Sequence, residues 1–326
     1  MPVEAAGATN IGQREHNEDA YLIDLERGLA LVADGVGGHQ AGEVASAITC
    51  ESLAESTASG HSLHEGIRRA NAAILAAVEE GEGNEGMATT AVALSIGEDG
   101  FEIAWVGDSR CYLLDGNSLK LLTRDHSLVE NLLKRGEITL EEAREHPKRN
   151  VIVQAIGLQE GELLRIDRNV GTLLPGQVLM LCSDGVSDVL DNAALFDILS
   201  AGGDLQRCCN LLVQSAVDAG GRDNATAILV RGSAGGEASP DAEVVWSYDA
   251  GTGEITGLRE VAPVAAIASD DDKPPKTTQM MEAAALERQV QRERGAKITG
   301  GRRMMSLSVI VGVLMVALVV AFLLLL

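Results

Sequence analysis

Cysteine is scarce in this chain, and the few cysteines are poorly spaced for cross-linking. Five occur among 326 residues, no two of them form a Cys-x-x-Cys pair, and their number is odd. A disulfide framework uses an even set of cysteines, and a structural zinc site uses closely paired ones. Both are therefore excluded, and this cysteine usage fits a reducing compartment.

Positive charge is also in short supply. The chain has 26 Lys and Arg against 48 Asp and Glu, a formal net charge of −22. Residues 273–303 carry eight Lys or Arg and three Glu, a net of +5, which leaves −27 on the rest of the chain. Because nucleic-acid binding requires neutralisation of phosphates, so acidic a body excludes it. Such a body suits a protein that concentrates metal cations.

Long apolar runs are missing except at one place. Residues 1–14 contain none, so no signal peptide is predicted. Residues 304–326 carry no charge, and as a helix they would span about 35 Å, enough to cross a hydrocarbon core of about 30 Å. They predict a single-pass transmembrane helix, since buried core helices are seldom so long and uniformly apolar. The preceding Lys297, Arg302 and Arg303 predict a cell-membrane protein whose N-terminal domain faces the cytoplasm.

Residues 1–232 have the pattern of one folded domain. Helical spacing is present in Glu43–Ser56, Leu63–Val78 and Leu205–Val217. Hairpin-type turns at 97–100 and 115–117 predict antiparallel pairing, which argues against a doubly wound parallel sheet. Sheets covered by helices in layers are expected. Short strands are predicted at Ala20–Leu25, Leu29–Ala33, Thr90–Ile96, Phe101–Val106, Cys111–Leu114, Leu119–Leu122, Val178–Cys182 and Ala225–Val230.

Two further segments differ in character from the core. Residues 126–150 contain short helical pieces around Gly136 and are rich in both charges, and we interpret them as a mobile flap on the domain. Residues 233–303 are predicted to be a linker followed by a basic juxtamembrane segment. Within that linker, residues 244–258 have the pattern of a small hairpin, for which the sequence suggests no function.

Four aspartates stand at the ends of predicted strands. Asp34, Asp108 and Asp184 each follow an apolar strand, and Asp223 comes just before one. If those ends share one sheet edge, the like charges are unfavourable until protons or cations neutralise them. Hard oxygen ligands select Mg²⁺ or Mn²⁺ over zinc. Two such ions that share a carboxylate can lower the pKa of a water between them and direct it at phosphorus.

Another charged segment, residues 12–19, precedes the first predicted strand. Arg14 could bind two phosphate oxygens through its planar guanidinium. Glu18 and Asp19 could hold metal-bound waters. Taken alone, this segment has the composition of a solvated charged loop.

Together these motifs give the chain a specific resemblance. Any one of them is weak, but they occur in one order across residues 7–232, and that order is similar to the bacterial form of the metal-dependent protein phosphatase family (type 2C serine/threonine phosphatases). The matching motifs are Arg14-x-x-Asn17-Glu18-Asp19, Ala33-Asp34-Gly35-Val36-Gly37-Gly38-His39, Thr89-Thr90, Gly107-Asp108-Ser109-Arg110, Asp125-His126-Ser127, Ala155-Ile156-Gly157, Ser183-Asp184-Gly185-Val186-Ser187-Asp188 and Asp223-Asn224-Ala225-Thr226.

The resemblance implies an α+β fold and a set of roles. Two antiparallel sheets should pack face to face with helices outside, as a four-layer α-β-β-α sandwich. The implied metal ligands are Asp34, which bridges two ions, the Gly35 carbonyl on one of them, and Asp184 and Asp223 on the other. With Asp184, Asp108 resembles the residue that holds a third, looser metal. Arg14 resembles the phosphate-binding arginine, and the flap resembles a segment that helps to select substrates.

One departure from the family concerns the general acid. Many eukaryotic relatives place a histidine directly after the Asp-Gly pair, where this chain has Val36. His39 lies three residues further on and could protonate the leaving alkoxide. It could equally be a structural loop histidine. His126, by contrast, is expected to order the start of the flap.

These observations predict a membrane-anchored phosphatase that hydrolyses phosphoserine and phosphothreonine on proteins. Two Mg²⁺ or Mn²⁺ ions, or three with Asp108, would activate a water that attacks phosphorus directly. We expect a monomer whose partners are phosphorylated proteins and a cognate serine/threonine kinase. The main alternative is a catalytically silent member that binds phosphoproteins, although no metal ligand is missing. An aspartate-nucleophile phosphotransferase would need Asp-x-Asp after a strand, and a calcium module would need alternating oxygen ligands in one loop; the sequence has neither.

Overall fold

The structure is a computed structural model that describes residues 3–37, 41–81, 86–97, 100–139, 142–143, 145–159, 161–232 and 242–257. Its strands are β1 (Val3–Asn10), β2 (Asp19–Asp24), β3 (Leu29–Val36), β4 (Ala88–Thr89), β5 (Ala91–Gly97), β6 (Gly100–Val106), β7 (Arg110–Asp115), β8 (Ser118–Leu121), β9 (Asp167–Gly171), β10 (Val178–Cys182), β11 (Ala225–Gly232), β12 (Trp246–Asp249) and β13 (Ile255–Gly257). Its helices are α1 (Ala41–Ala58), α2 (Leu63–Glu80), α3 (Leu128–Arg135), α4 (Asp184–Ser187), α5 (Asn192–Ser200) and α6 (Leu205–Asp218). A single 3₁₀ turn at Gly161–Leu163 completes the described elements.

The strands form two antiparallel sheets. The larger sheet has the order β1-β11-β10-β7-β8-β12-β13, and the smaller has the order β2-β3-β5-β6-β9, with β4 paired to β3. Every ladder is antiparallel, as the hairpin turns predict. The predicted antiparallel architecture is therefore confirmed.

Three of the four apolar clusters among the described residues hold the layers together. One lies between the sheets, where Val32 and Val92 of the smaller sheet pack with Leu181 and Ile228 of the larger one. Another joins the smaller sheet to α1 and α2, and the third joins the larger sheet to α5 and α6. Because β3 is buried along its whole length, both of its faces pack against apolar neighbours. The layer order is thus helices, sheet, sheet, helices.

Several elements differ from the sequence-based expectation. Strands β1 and β9 were not predicted, because β1 is rich in Ala and Gly and β9 carries two charged residues among five. Strand β3 continues through Asp34 and Gly35 to Val36, so these two residues lie inside its end. The three predicted helices are present as α1, α2 and α6, each slightly longer than its pattern.

The folded sheet also extends beyond residue 232, the predicted end of the domain. The hairpin predicted at 244–258 is present as β12 and β13, and β12 pairs with β8 of the larger sheet. Its Trp246 is 1% exposed and packs edge-on against Tyr112 at 5.8 Å between ring centroids. Two strands of the sheet therefore come from the segment predicted to be a linker.

The predicted membrane span falls outside the described residues, as does the rest of 258–326. Among the helices that the structure does describe, none combines the length and apolarity needed to cross a bilayer.

Candidate functional site

The four predicted metal-ligand aspartates stand at strand ends in both sheets. In the smaller sheet, Asp34 lies near the end of β3 and Asp108 follows β6 by two residues. In the larger sheet, Asp184 comes two residues after β10, at the start of α4, and Asp223 comes two residues before β11. Strands β10 and β11 are antiparallel neighbours, so the end of one and the start of the next lie at the same edge.

Asp19 connects the two sheets at this edge. It pairs with Asp34 across the β2–β3 ladder. Its Oδ2 accepts hydrogen bonds from Ser183 Oγ at 2.8 Å and from Thr226 Oγ1 at 2.6 Å, both in the larger sheet. Since Ser183 directly precedes Asp184, these bonds bring the Asp34 end of the smaller sheet next to Asp184.

A second network fixes Asp34 relative to the turn that carries Asp108. The Asp34 carbonyl accepts from Thr90 N at 2.8 Å, and Asp34 N donates to Thr90 Oγ1 at 3.3 Å. The same Thr90 hydroxyl lies 2.7 Å from Ser109 Oγ. Both Thr90 and Ser109 are buried, so the two aspartates belong to one ordered end of the sheet.

The segment with Arg14 is fastened to the loop with Asp223. Asn224 donates through Nδ2 to the Ile11 carbonyl at 2.8 Å and accepts through Oδ1 from Glu18 N at 2.8 Å. Arg14 Nη2 then lies 2.9 Å from Asp223 Oδ2. Gly12 permits this approach, because its φ is +61° and an added Cβ would come within 2.1 Å of the Asp223 carbonyl oxygen.

Asp184 is brought equally close to this loop. It is the first residue of α4, with Ser183 at the N-cap, and only 4% of it is exposed. The next residue, Gly185, packs directly on the Asn224 backbone, since an added Cβ would lie 1.9 Å from the Asn224 carbonyl oxygen. The glycine of this Asp-Gly pair is therefore needed for the close approach of the two loops.

Two carboxyl groups at this edge, those of Asp19 and Glu18, have raised pKa values. Burial raises the pKa of Asp19 to about 7, bonds from Thr226 and Ser183 oppose the rise, and the charges of Asp223 and Asp184 add to it. Burial likewise raises the pKa of Glu18, Asp223 adds to this, and Arg14 opposes it. In both groups burial is the main cause of the rise, and the charges of neighbouring carboxylates add to it.

A divalent cation fits this edge. Within the described part of the chain, the buried Asp19 Oδ1 has no hydrogen-bond partner. Carboxylate oxygens are the donors that Mg²⁺ and Mn²⁺ prefer. Among the described residues no three His, Cys, Asp or Glu side chains are arranged to hold one ion together, so the assignment of individual ligands stays a prediction.

The remaining predicted residues have different outcomes. His39 lies outside the described residues, so its role as a general acid stays a prediction. Gly35 donates its N–H to the Glu18 carbonyl at 3.0 Å, which places it beside the Arg14 segment. Glu18 is half-buried, and its carboxylate accepts from the Gly42 N–H in the first turn of α1. His126, which was expected to order the start of the flap, is buried there.

Sequence reasoning missed the polar residues that hold these carboxylates in place. Thr90, Ser183, Asn224 and Thr226 all lie in the recognised motifs, but the spacing alone gave them no partner. Asp19 and Thr226 are 207 residues apart, and only the packing of the two sheets joins them.

Comparison with known proteins gives consistent matches. The protein phosphatase 2C family profile matches residues 6–210. The serine/threonine phosphatase Stp of Listeria welshimeri is 36% identical over 230 residues, which cover 67% of this chain and 90% of that protein.

Solved structures agree with the sequence matches. The Mycobacterium tuberculosis serine/threonine phosphatase PstP/Ppp superposes with a TM-score of 0.64 at 31% identity, covering 71% of this chain and 99% of that one. The catalytic domain of a serine/threonine protein phosphatase PstP, in complex with two manganese ions, superposes with a TM-score of 0.61 at 31% identity, covering 70% of this chain and 97% of that one.

Proposed function

Because this chain belongs to the protein phosphatase 2C family and is a metal-dependent protein phosphatase, we propose that it hydrolyses phosphoserine and phosphothreonine on proteins by direct attack of water on phosphorus. The observation that carries this proposal is the meeting of Asp34, Asp184 and Asp223 with Arg14 at one edge of the two sheets. Carboxylates for divalent cations and a guanidinium for phosphate are the two groups that such a reaction requires.

The proposed ligands divide between two cations. Asp34 would serve both, the Gly35 carbonyl would serve one, and Asp184 and Asp223 would serve the other. Asp108, together with Asp184, would hold a third and looser ion. When bound, Mg²⁺ or Mn²⁺ would lower the pKa of water and neutralise charge that develops on the phosphoryl group. The Asp19 carboxylate, held by Ser183 and Thr226, fixes the relative position of Asp34 and Asp184.

Arg14 is proposed to bind and orient the phosphoryl group. Its guanidinium lies 2.9 Å from Asp223 Oδ2, and 45% of the side chain is exposed, so it is reachable from solvent. A planar guanidinium can donate to two phosphate oxygens at once, which orients the phosphorus as well as binding it. Arg14 would thereby hold the phosphate beside the carboxylate that it contacts here.

Direct attack by water is favoured over a serine nucleophile. The Ser183 hydroxyl is buried and donates to Asp19, and the buried Ser109 hydroxyl lies 2.7 Å from Thr90 Oγ1. A nucleophilic serine needs a base that removes its proton and an open face towards phosphorus. Ser183 has a carboxylate beside it but is buried, and Ser109 is buried against another hydroxyl, so neither serine combines a base with an open face.

The cellular setting is proposed from the sequence. Residues 304–326 would anchor the enzyme in the cell membrane, and Lys297, Arg302 and Arg303 would keep the catalytic domain in the cytoplasm. A serine/threonine kinase that phosphorylates proteins near the membrane would be its counterpart.

Metal dependence tests the proposed reaction. We expect hydrolysis of a phosphothreonine peptide to need Mn²⁺ or Mg²⁺, and Asp34→Asn, Asp184→Asn and Asp223→Asn each to lower kcat by about 100-fold or more, because outer-shell changes alone cost about 10–100-fold. Asp197→Asn is the matched control, since Asp197 is an exposed residue of α5. Full activity in excess chelator would contradict the proposal.

A further inference from the structure

The segment Arg124–His126 joins three parts of the molecule. It follows β8, leads into the first residue of the flap, and lies against the turn between β6 and β7 that carries Asp108. The family motif includes Asp125 and His126, but the function proposed above gives them no role. Their contacts suggest one.

His126 holds both backbone polar groups of Gly107, the residue before Asp108. Its N–H donates to the Gly107 carbonyl at 2.8 Å, and its Nδ1 accepts from the Gly107 N–H at 3.2 Å. Gly107 has φ of +105°, a backbone conformation that glycine adopts readily and other residues rarely do, and the two bonds from His126 hold the turn in it. The imidazole thus fixes the backbone from which Asp108 projects.

The imidazole is itself held on its other side. Because Nδ1 accepts from an N–H, the proton of the neutral ring is on Nε2, which lies 3.3 Å from Asp167 Oδ2 on β9. Burial lowers the pKa of His126 despite that carboxylate, so the neutral ring is the stable form. The Trp105 ring stacks on it at 6.4 Å between centroids. The ring therefore has the Gly107 N–H at one edge, a carboxylate near the other edge and an aromatic ring over its face, and these neighbours restrict its position.

Asp125 forms an ion pair with Arg110, the last residue of the same turn. Its Oδ2 accepts from Arg110 Nη2 at 2.7 Å and its Oδ1 accepts from Arg110 Nε at 3.0 Å. The Arg110 side chain is 7% exposed and that of Asp125 is 12% exposed, so the two-point ion pair is shielded from water. The turn Gly107–Arg110 is therefore held at its first residue by His126 and at its last by Asp125.

The same segment is the base of the flap. The His126 carbonyl accepts from Val153 N at 2.7 Å, and Ser127 caps α3 by accepting from Glu130 N at 3.2 Å. Arg124 lies 3.7 Å from Glu130 on α3. Residues 124–127 thus contact both the base of the flap and the turn that carries Asp108.

From these contacts we infer that Asp125 and His126 are positioning residues that hold Asp108 towards the metal site and tie its turn to the base of the flap. This inference rests on the proposed role of Asp108 as a metal ligand. It identifies which residues outside the ligand set govern the affinity of the Asp108-dependent cation.

Two substitutions of His126 separate its contacts. Asparagine places an oxygen where Nδ1 accepts from Gly107 but does not reach Asp167, whereas glutamine reaches Asp167 but removes the acceptor for the Gly107 N–H. Calorimetric binding of Mn²⁺ to the full-length protein would be compared for wild type, Asp108→Ala, His126→Asn and His126→Gln. We expect Asp108→Ala to lose one class of Mn²⁺ site, His126→Gln to weaken that class about 10-fold, and His126→Asn to stay within about threefold of wild type.

Kinetics supply an independent measurement. Arg14 is untouched in the His126 variants, so at saturating Mn²⁺ their KM for p-nitrophenyl phosphate should equal that of wild type. Unfolding midpoints report whether each variant folds. Should His126→Gln fail to fold, His126→Leu removes the same acceptor without burying an amide and decides the same comparison.

The outcomes distinguish the positioning role of His126 from the proposed role of Asp108 as a metal ligand. Loss of the site in Asp108→Ala with wild-type affinity in His126→Gln would overturn the positioning role and leave the proposed metal set intact. Equal weakening in His126→Asn and His126→Gln would also overturn it, because the Gly107 contact would not be the cause. Wild-type Mn²⁺ binding by Asp108→Ala would remove Asp108 from the metal set and this inference with it.

Discussion

At the scale of single residues, the ion pair between Arg14 and Asp223 is weak enough for substrate or metal to replace it. One partner is 45% exposed and the other 25% exposed, and such pairs contribute about 1 kcal/mol or less. A phosphate dianion would interact more strongly with Arg14, and a divalent cation would interact more strongly with Asp223. The pair is therefore one that substrate and metal can replace without a large loss of stability.

Substitution of Arg14 should weaken phosphate binding without changing the affinity for metal ions. Arg14→Ala removes charge-assisted hydrogen bonds to phosphate, and we expect KM for a phosphothreonine peptide to rise about 10-fold or more, with Arg14→Lys in between. Arg27→Ala is the matched control, because Arg27 pairs with Asp24 at the opposite end of the β2–β3 hairpin. Steady-state kinetics at saturating Mn²⁺ measure the effect, and an unchanged KM would remove Arg14 from the site.

His39 can be tested through the leaving group. If it donates a proton to the departing alkoxide, His39→Ala should lower turnover of a phosphopeptide at least 10-fold while p-nitrophenyl phosphate, whose leaving group needs little help, is barely affected. His64→Ala is the control, since His64 lies on α2 and accepts a hydrogen bond from Arg68 on the same helix. Equal losses on the two substrates would assign His39 a structural role.

The positions of the candidate ligands at strand ends could be predicted from the sequence, but the hydrogen-bond partners that hold the site together could not. An aspartate after an apolar strand is recognisable locally, which is why Asp34 and Asp184 were identified. Asp19 depends on Ser183, 164 residues away, and Asn224 depends on Ile11, 213 residues away. Such pairs exist only after the two sheets pack, and a single sequence carries no local signal of that packing.

At the scale of elements, the local signals worked where side-chain periodicity was strong. Helix α2 has a Ser62 capping box and a left-handed Gly81 at its end, and its bounds nearly match the pattern. Strand β9 was missed because its only fully buried residues, Asn169 and Gly171, are not apolar side chains. Asn169 instead bonds the Leu122 and Glu243 carbonyls, so tertiary hydrogen bonds replace hydrophobic periodicity there.

The β12–β13 hairpin should be part of the stable domain. Truncation after Gly232 removes Trp246 and uncovers Tyr112 and Leu121, and we expect it to lower the free energy of unfolding by at least about 3–5 kcal/mol, the cost of truncating one buried tryptophan. Truncation after Gly257 keeps the hairpin and should leave stability unchanged. Urea unfolding of the two truncated proteins makes the comparison, and identical midpoints would show that the hairpin is dispensable.

At the scale of the whole molecule, charge is distributed unevenly. Residues 273–303 carry a net of +5 directly before the uncharged residues 304–326, and the rest of the chain carries a net of −27. Basic residues beside an apolar span stay on the cytoplasmic side and are attracted to anionic lipid headgroups. The sequence therefore has separate signals for chemistry and for location.

This separation leads to a prediction for the anchor. Truncation after Gly300 removes the apolar run and leaves every described residue in place, so we expect a protein that no longer fractionates with membranes and has unchanged kcat/KM for p-nitrophenyl phosphate. A matched control replaces Leu314 and Val316 within the run by alanine, which keeps it uncharged and should keep the protein in the membrane fraction. Membrane fractionation with and without detergent measures location, and protease added outside intact cells measures orientation.

Recovery of the full-length protein in the soluble fraction without detergent would contradict the proposed anchor, and so would digestion of the catalytic domain from outside. A fall in kcat/KM on truncation would show that residues beyond 300 take part in the chemistry.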